Sequence, residues 1–566
     1  MYPTLRDFVD ALDAAGELHR VKAPVSPILE IAEVADRVSK SKAPSSSDDA
    51  RVTDPRHHGG GGKALLFENV EGSKFPVLIN AYGSYRRMQM ALGCTDGGFE
   101  SLAQRLAKLV NPQPPAGWWQ KIKKIPELVK MASYPPKVVD DGICQQVVKR
   151  RMDGPSSAAA AGKVNLFELP IVKCWPLDGD PRRVGFPVDP PEGGGQGRYI
   201  TMAGIYTIHP DDAGAPADAP RPSRNVGMYR LQVIDECHTA MHWHMHHDGA
   251  RHWRAWKQRG LPMPCAAVLG GQSVLPYCAT APLPPGVSEL LLAGFLNNDG
   301  IALVPCVTPG VDLHVPANAE IVIEGFVSTD AGFPGYDPRR DPDGDGGAGG
   351  IGPGAVFEGP FGDHTGYYSL PDRYPVFEVT AITHRRDPIY PTTIVGLPPQ
   401  EDYYMGKATE RIFLPLLRTI IPDIIDYDLP MFGAFHNCAF VQIRKEYPLQ
   451  ARRVMHAIWG AGQMAWTKFI IVVDHDVNVH DHEQVLFHMC ANVDPGRDIE
   501  IVNGPLDILD HAAPRLGAGH KIGIDATRKI KGEEVGGHLI RDWPALITMD
   551  SDTVALVDRR WKEYGL

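Results

Sequence analysis

Two acidic residues five positions apart, Glu358 and Asp363, flank a turn stiffened by glycine and proline in Glu358-Gly-Pro-Phe-Gly-Asp-His364. Such a turn can hold both carboxylates at a fixed separation beside one pocket. Paired acids in different environments divide their roles, one staying ionised while the other carries a proton for donation. Taken alone, the run also reads as a tight solvent turn. Asn225-Val-Gly-Met-Tyr-Arg230 poses a similar choice: Asn225 and Arg230 face a ligand, or they cap a β-turn. Histidine forms the third cluster. His238, His242, His244, His246, His247 and His252 fall within 15 residues of a chain holding 22. In His242-Trp-His-Met-His246 the histidines alternate, so a strand would project all three from one face. Imidazoles so placed can bind zinc, which makes a zinc hydrolase on His242, His244 and His246 one reading. Surface or hydrogen-bonded histidines are the other.

Two shorter runs fail on their chemistry. Gly59 to Lys63 resembles a phosphate loop, but Ala64 replaces the Ser/Thr that would hold Mg²⁺. Asp474-His-Asp476-Val-Asn478 begins like a calcium loop, yet Val479 stands where Gly is required and Val485 where a bidentate Glu is required. It reads as a strand end with acidic turn residues.

The elements that must position these groups follow from the hydrophobic pattern. Thr4 and Asp7 make a capping box ahead of a helix whose apolar stripe is Leu5, Phe8, Val9 and Leu12. Ser41 to Gly62 is Ser- and Gly-rich and reads as a mobile loop. Ala64–Phe67 and Phe75–Ile79 read as short strands around a turn. Gly154 to Gly162 is a second loop. From Tyr199 to about Val327, short β-branched segments between Gly, Pro and Asp turns predict an antiparallel, barrel-like β domain. Residues 331–354 have almost no apolar side chains and read as a surface insertion. Beyond them, helices (Met405 to Ile420, Leu449 to Trp466) alternate with strands (Ala439–Ile443, Phe469–Val473), which predicts an α/β domain.

Composition bounds the class. At 566 residues the chain should hold two to four domains at about 100–200 residues each. It is 43% hydrophobic and 22% charged, which fits neither disorder nor a fibrous repeat. Its net charge of −11, without a basic tail, argues against nucleic acid and anionic membranes as partners. No apolar run approaches the ~20 residues of a membrane span, and no secretory signal opens the chain. Nine scattered cysteines without a C-x-x-C pair read as reduced thiols. A cytoplasmic protein of enzyme size is expected.

Taken in order, several runs resemble the UbiD family of decarboxylases. They are Leu65-Leu-Phe-Glu-Asn-Val70 followed by Phe75-Pro-Val-Leu-Ile-Asn80, Arg224-Asn-Val-Gly-Met-Tyr-Arg230 and Glu358-Gly-Pro-Phe-Gly-Asp-His-Thr-Gly-Tyr-Tyr368. Asp494-Pro-Gly-Arg-Asp498, and Gly523-Ile-Asp-Ala-Thr527 with Lys521, continue the match. The resemblance runs from residue 4 to about residue 535.

It implies a non-oxidative, reversible carboxy-lyase that removes CO₂ from an aromatic acid through a covalent adduct with prenylated FMN. It also implies Mn²⁺ or Mg²⁺ and often K⁺. A separate flavin prenyltransferase would supply the cofactor, and the protein would be a homodimer or larger. By motif, Asn225, His246 and Glu289 would hold the metal, a hard cation preferring oxygen ligands. Met228, Tyr229, Arg230, His242, Trp243, His244, His247, Asp248, Thr280, Pro282 and Lys468 would contact the cofactor. Arg230 and Glu358 would form an ion pair beside the substrate, and Asp363 would return the proton after CO₂ leaves. The Gly-Asp-His-Thr-Gly-Tyr-Tyr run resembles members acting on hydroxylated aromatic acids, so a 4-hydroxy-3-polyprenylbenzoate or dihydroxynaphthoate-type quinone precursor is expected. A catabolic aromatic or heteroaromatic acid is the alternative.

The implied architecture is multidomain, α+β to α/β. An N-terminal α/β domain spans 1–130, and a split, flavin-reductase-like β-barrel spans 131–375. A C-terminal α/β oligomerisation domain follows over 376–535, and a tail over 536–566 packs on a partner. Two rivals stay open here: the zinc hydrolase, and a non-catalytic barrel binding ordinary FMN.

Overall fold

The computed structural model describes residues 1–94, 97–110, 134–151, 162–187, 197–216, 221–244, 247–283, 287–330, 354–434, 436–533 and 543–566. His246, all but the last residue of the 154–162 loop and all but the last residue of the 331–354 segment lie outside them.

The first helix, Leu5–Ala14, starts as its residues dictate. Asp7 N–H donates to Thr4 Oγ1, the Asp7 carboxylate accepts from Thr4 N–H, and Leu5, Phe8, Val9 and Leu12 are buried on one face. The two expected strands are present as Ala64–Phe67 and the shorter Val77–Ile79, and they pair antiparallel. Their sheet also takes Leu18–Val21 and, from far along the chain, Tyr390–Pro391.

The stretch between them corrects an expectation. Ser41 to Gly62 is not a loose loop: Asp48–Thr53 is helical, and Asp54 accepts from the hydroxyls of Tyr85 and Tyr403. The buried Arg87 donates to the carbonyls of Gly61 and Gly62, and Asn80 to that of Gly61. These partners are remote in sequence, so local composition carries no sign of them.

The middle of the chain forms a ten-stranded sheet whose pairings are all antiparallel. Its main path runs Tyr199–Ile200, Arg230–Val233, His238–His242, Asp372–His384, Ile321–Val327, Met263–Leu269, Gly204–Thr207 and Asn225–Met228. Ala355–Glu358 and Val147–Arg150 pair with the long strand Asp372–His384 off this path. That strand runs through residues 375 and 376, where the sequence reading divides the chain. Only Tyr229 separates Asn225–Met228, last in this order, from Arg230–Val233, second in it. The sheet must therefore curl until its two ends meet at Tyr229, a half-barrel that strand twist favours. Both faces are buried. Ile205 and Ala267 pack into one core and Tyr206, Ala266 and Val268 into another, as period-2 alternation requires.

The C-terminal part is α/β, as the alternation predicted. Its five strands lie in the order Ile424–Asp428, Cys438–Ile443, Phe469–Asp474, Ala518–Asp525, Ile499–Pro505, and the central two pairings are parallel. The parallel steps need crossovers, which Gln450–Trp459 and His482–Asn492 supply. The helix expected to reach Trp466 ends at Trp459, and a 3₁₀ turn, Gly462–Trp466, replaces its last part. Among the described residues no helix is long and apolar enough to cross a membrane.

Candidate active site

The seam at Tyr229 places Arg230 at the start of its strand, directly opposite His242 in the antiparallel register. Glu358 ends Ala355–Glu358, and Asp363 follows in the next turn. The Arg230 guanidinium joins them. Its Nε and Nη2 each donate to Glu358 at 2.9 Å, its Nη1 donates to Asp363 Oδ2, and Nη2 also reaches Ser369 Oγ at 2.9 Å. The fork-to-carboxylate geometry is bidentate, the strong form of such a pair. The cluster is closed to solvent: Glu358 is 0% exposed, Asp363 6% and Arg230 8%. The Phe361 ring lies under the guanidinium at 4.7 Å.

The glycines of Glu358-Gly-Pro-Phe-Gly-Asp363 are close-approach residues. A Cβ on Gly359 would lie 2.4 Å from the Gly179 backbone, and one on Gly362 would lie 2.1 Å from Trp175 Cδ1. The turn is also tied by backbone donors. Gly362 N–H gives to the buried Asp178 carboxylate at 2.9 Å, and Gly359 N–H to Gln232 Oε1 at 2.8 Å. The run is thus a buried, over-determined turn, not a solvent one.

Charge in this cluster is set by its neighbours. Burial alone would push the Glu358 carboxyl up, but Arg230 and His242 hold it down at about 2. Burial opposes ionisation of Asp363 too; a hydrogen bond from His364 and the Arg230 charge keep it below the carboxylate range. His242 Nδ1 lies 2.7 Å from Glu358 Oε2 and its Nε2 3.2 Å from His244 Nε2. Burial and, after it, Arg230 lower the His242 pKa; burial and His247 lower that of His244 far more. His364 Nδ1 lies 2.9 Å from Asp363 Oδ1 and its Nε2 2.8 Å from His436 Nε2. Although burial pulls His364 down, Asp363 raises it to about 9.

Most of the remaining expected cofactor residues lie near the seam, and Lys468 does not. Met228 N–H donates to Ala279 O, next to Thr280 and the half-buried Pro282. Thr280 Oγ1 donates to Tyr277 O at 2.8 Å. His247 caps the helix Asp248–Gln258 and stacks on both Tyr229 (4.9 Å) and His244 (4.8 Å). Asp248, in that helix's first turn, pairs with Arg251 at 3.3 Å. Trp243 is wholly buried in the core, and its indole N–H has no partner among the described residues. Lys468, just before the middle strand of the C-terminal sheet, pairs with Asp510 at 2.8 Å.

Asn225 and Glu289, two of the three expected metal residues, are buried neighbours: Val226 N–H donates to Glu289 Oε2 at 2.8 Å. No described residue forms an ion pair with Glu289, and burial raises its carboxyl to about 7. A buried acid without an ion-pair partner among the described residues, bonded to the residue that follows Asn225, offers oxygen donors of the kind a hard cation takes, so these residue types fit Mn²⁺ or Mg²⁺. Among the described residues no ligating group of three includes His242 or His244.

Sequence reasoning missed His364 as a partner, although it adjoins Asp363 in the same run. It also missed His436, Asp507, Asp402, Ser369 and Asp178. Of these only His364 had a local signal.

Comparison with known proteins identifies the family and the fold. The 3-octaprenyl-4-hydroxybenzoate carboxy-lyase models match residues 9–106 (N-terminal domain), 148–398 (Rift-related domain) and 403–526 (C-terminal domain). An uncharacterized protein of Aquifex aeolicus is 43% identical over 100% of this chain and 99% of its own. Among solved structures, the closed vanillic acid decarboxylase of Sedimentibacter hydroxybenzoicus has a TM-score of 0.75 at 24% identity, covering 100% of this chain and 99% of that one. An evolved dimeric form of the UbiD-class enzyme HmfF from Pelotomaculum thermopropionicum, in complex with prFMN, has a TM-score of 0.66 at 24% identity, covering 98% and 100%. These matches overturn the zinc-hydrolase and non-catalytic alternatives. The buried Arg230 clamp thus sits in a chain matched by all three family models in order, and the chain belongs to the UbiD family of carboxy-lyases.

Proposed function

We propose that this chain is a cytoplasmic prenylated-FMN-dependent decarboxylase of a hydroxylated aromatic acid. Its substrate in this reading is a 4-hydroxy-3-polyprenylbenzoate or dihydroxynaphthoate-type quinone precursor, and it works as a homodimer or larger assembly. The observation that carries the reading is the dry clamp of Arg230 between Glu358 and Asp363. The curled sheet, which runs past residue 375 to His384, is the cofactor's barrel, flanked by an N-terminal domain over 1–130 and a C-terminal domain that ends near residue 535.

Prenylated FMN, when bound, supplies the electrophilic carbon that accepts the electron pair of an aromatic ring. Met228, Tyr229, Arg230, His242, Trp243, His244, His247, Asp248, Thr280 and Pro282 would contact it. Asn225, His246 and Glu289 would hold Mn²⁺ or Mg²⁺, with K⁺ as a further ion, and Lys468, paired here with Asp510, would reach the cofactor's phosphate. Arg230 orients the substrate carboxylate, Glu358 fixes Arg230, and Asp363 hands a proton to the carbon that loses CO₂. A phenolic hydroxyl makes the ring more nucleophilic, so the protein need only manage that proton.

The test is co-expression with a flavin prenyltransferase, followed by mass analysis of the released cofactor and metal. CO₂ release is then assayed from 4-hydroxybenzoate, vanillate and 1,4-dihydroxy-2-naphthoate. Prenylated FMN, bound Mn or Mg, and CO₂ from a hydroxylated acid are expected. Ordinary FMN with no CO₂ from any of them overturns the reading.

A further inference from the structure

The Arg230 clamp leaves a charge to be accounted for. One guanidinium faces two ionised carboxylates, and a buried cluster with an uncompensated charge is costly. The compensating group is in contact with Asp363. His364 points Nδ1 at Asp363 Oδ1 (2.9 Å) and Nε2 at His436 Nε2 (2.8 Å). A ring bonded to a carboxylate at one nitrogen and to a neutral imidazole at the other can donate at both, which is the imidazolium form.

We propose that the proton delivered to the product carbon is held at rest on His364, not on Asp363, and reaches the carbon through the Asp363 carboxylate. The inference rests on the decarboxylase reading above. In the step, the Nδ1–H bond of His364 breaks and an O–H bond forms on Asp363. That proton then passes to the carbon vacated by CO₂, where the electron pair of the broken C–C bond ends in the new C–H bond. Neutral His364 regains a proton from water once product leaves. Its side chain keeps 14% exposure and that of His436 17%, so the pair reaches towards solvent while Glu358 does not.

The surroundings agree from every side. Asp363, itself paired with Arg230, faces His364 from the turn after the central sheet, and Asp402 faces it from the helix Glu401–Ile420. His436 and Asp507 (3.6 Å apart) face it from the C-terminal part, with His244 nearby. Against burial, Asp363 first and then Asp507 and Asp402 raise the His364 pKa to about 9, although burial lifts the Asp402 carboxyl itself to about 7. His436 is lowered to about 4, chiefly by burial, and stays a neutral acceptor. Asp363, held below the carboxylate range, is empty of protons at neutral pH.

The experiment uses the prenylated-FMN holoenzyme with 4-hydroxybenzoate, vanillate or 1,4-dihydroxy-2-naphthoate, whichever is turned over, and His364→Asn. Asn places an N–H where Nδ1 stood, keeping the bond to Asp363 but offering no acidic proton. We expect kcat to fall about 100-fold with KM within about twofold, and the basic limb near pH 9 to vanish. An unchanged rate and limb in His364→Asn would overturn the proposal. A second measurement stands apart from turnover: ¹⁵N spectra of the ring nitrogens as pH rises. Both nitrogens should stay protonated at pH 7.5 and titrate near pH 9, and Asp363→Asn should lower that midpoint. A neutral His364 ring at pH 7.5 also overturns it. If no acid is turned over, the function reading has failed, and the ring titration alone decides where the proton rests.

Discussion

Arg230 is the residue on which the site's geometry turns, and Glu358 is what holds it. Two parallel hydrogen bonds fix the plane of the guanidinium, which no single-oxygen partner would do. Glu358→Gln keeps the shape and removes one charge. Decarboxylation should be lost while the released cofactor stays stoichiometric, and full activity in this variant would refute the assigned role. The same substitution has a thermodynamic signature. The Glu358 pKa is depressed from 4.5 to about 2, so its contribution is complete above the unfolded value and is lost as pH falls through the folded one. The shift corresponds to about 3 kcal/mol at neutral pH. Urea unfolding of the wild type and Glu358→Gln should therefore differ most near pH 7. The gap should shrink at pH 3, and a gap that widens on acidification would contradict the assignment.

At the scale of elements, the turn from Glu358 to Asp363 is shaped by what it touches. Gly362 packs where a methyl group would meet Trp175, and Asp178 from the same neighbouring segment anchors its N–H. Gly362→Ala must push the turn outward or displace the indole, typically a cost of about 1–3 kcal/mol. Because Asp363 is the next residue, the same shift pulls its carboxylate from Arg230. Denaturant unfolding and turnover should both fall in Gly362→Ala, and turnover lost without any loss of stability would count against this packing account. The run itself was legible in the sequence, since Gly and Pro between two acids announce a fixed turn. Its supports were not. Trp175, Asp178, His436 and Asp507 reach it from remote segments whose local patterns say only core or loop. The same holds for Ser41 to Gly62, where Ser and Gly suggest freedom that Arg87 and Asn80 remove. The strand reading of His242-Trp-His was half right. The strand ends at His242, yet His242 and His244 still meet through their Nε2 atoms.

At the scale of the whole molecule, the turn also joins the curled sheet to the C-terminal part. His364 meets His436, and Tyr367 packs on His511 at 4.1 Å. The far end of the chain has no such partner among the described residues. The helix Ser551–Arg560 buries none of its residues, and Ile547, Met549, Trp561 and Leu566 are 99%, 66%, 50% and 78% exposed. A ten-residue helix is marginal in water on its own, and apolar side chains displayed around it need a surface to cover. The surface expected from the sequence reading is a second copy of this chain. Light scattering should then give the full protein a mass of at least twice the 61.9 kDa chain. Removing residues 543–566, which contribute nothing to the cores or to the Arg230 clamp, should lower that mass while the fold's far-UV spectrum persists. An unchanged mass after the deletion would place the contact between copies elsewhere, with the exposed Phe432, Phe487 and Ile501 of the C-terminal sheet and its helices as the next surface to test.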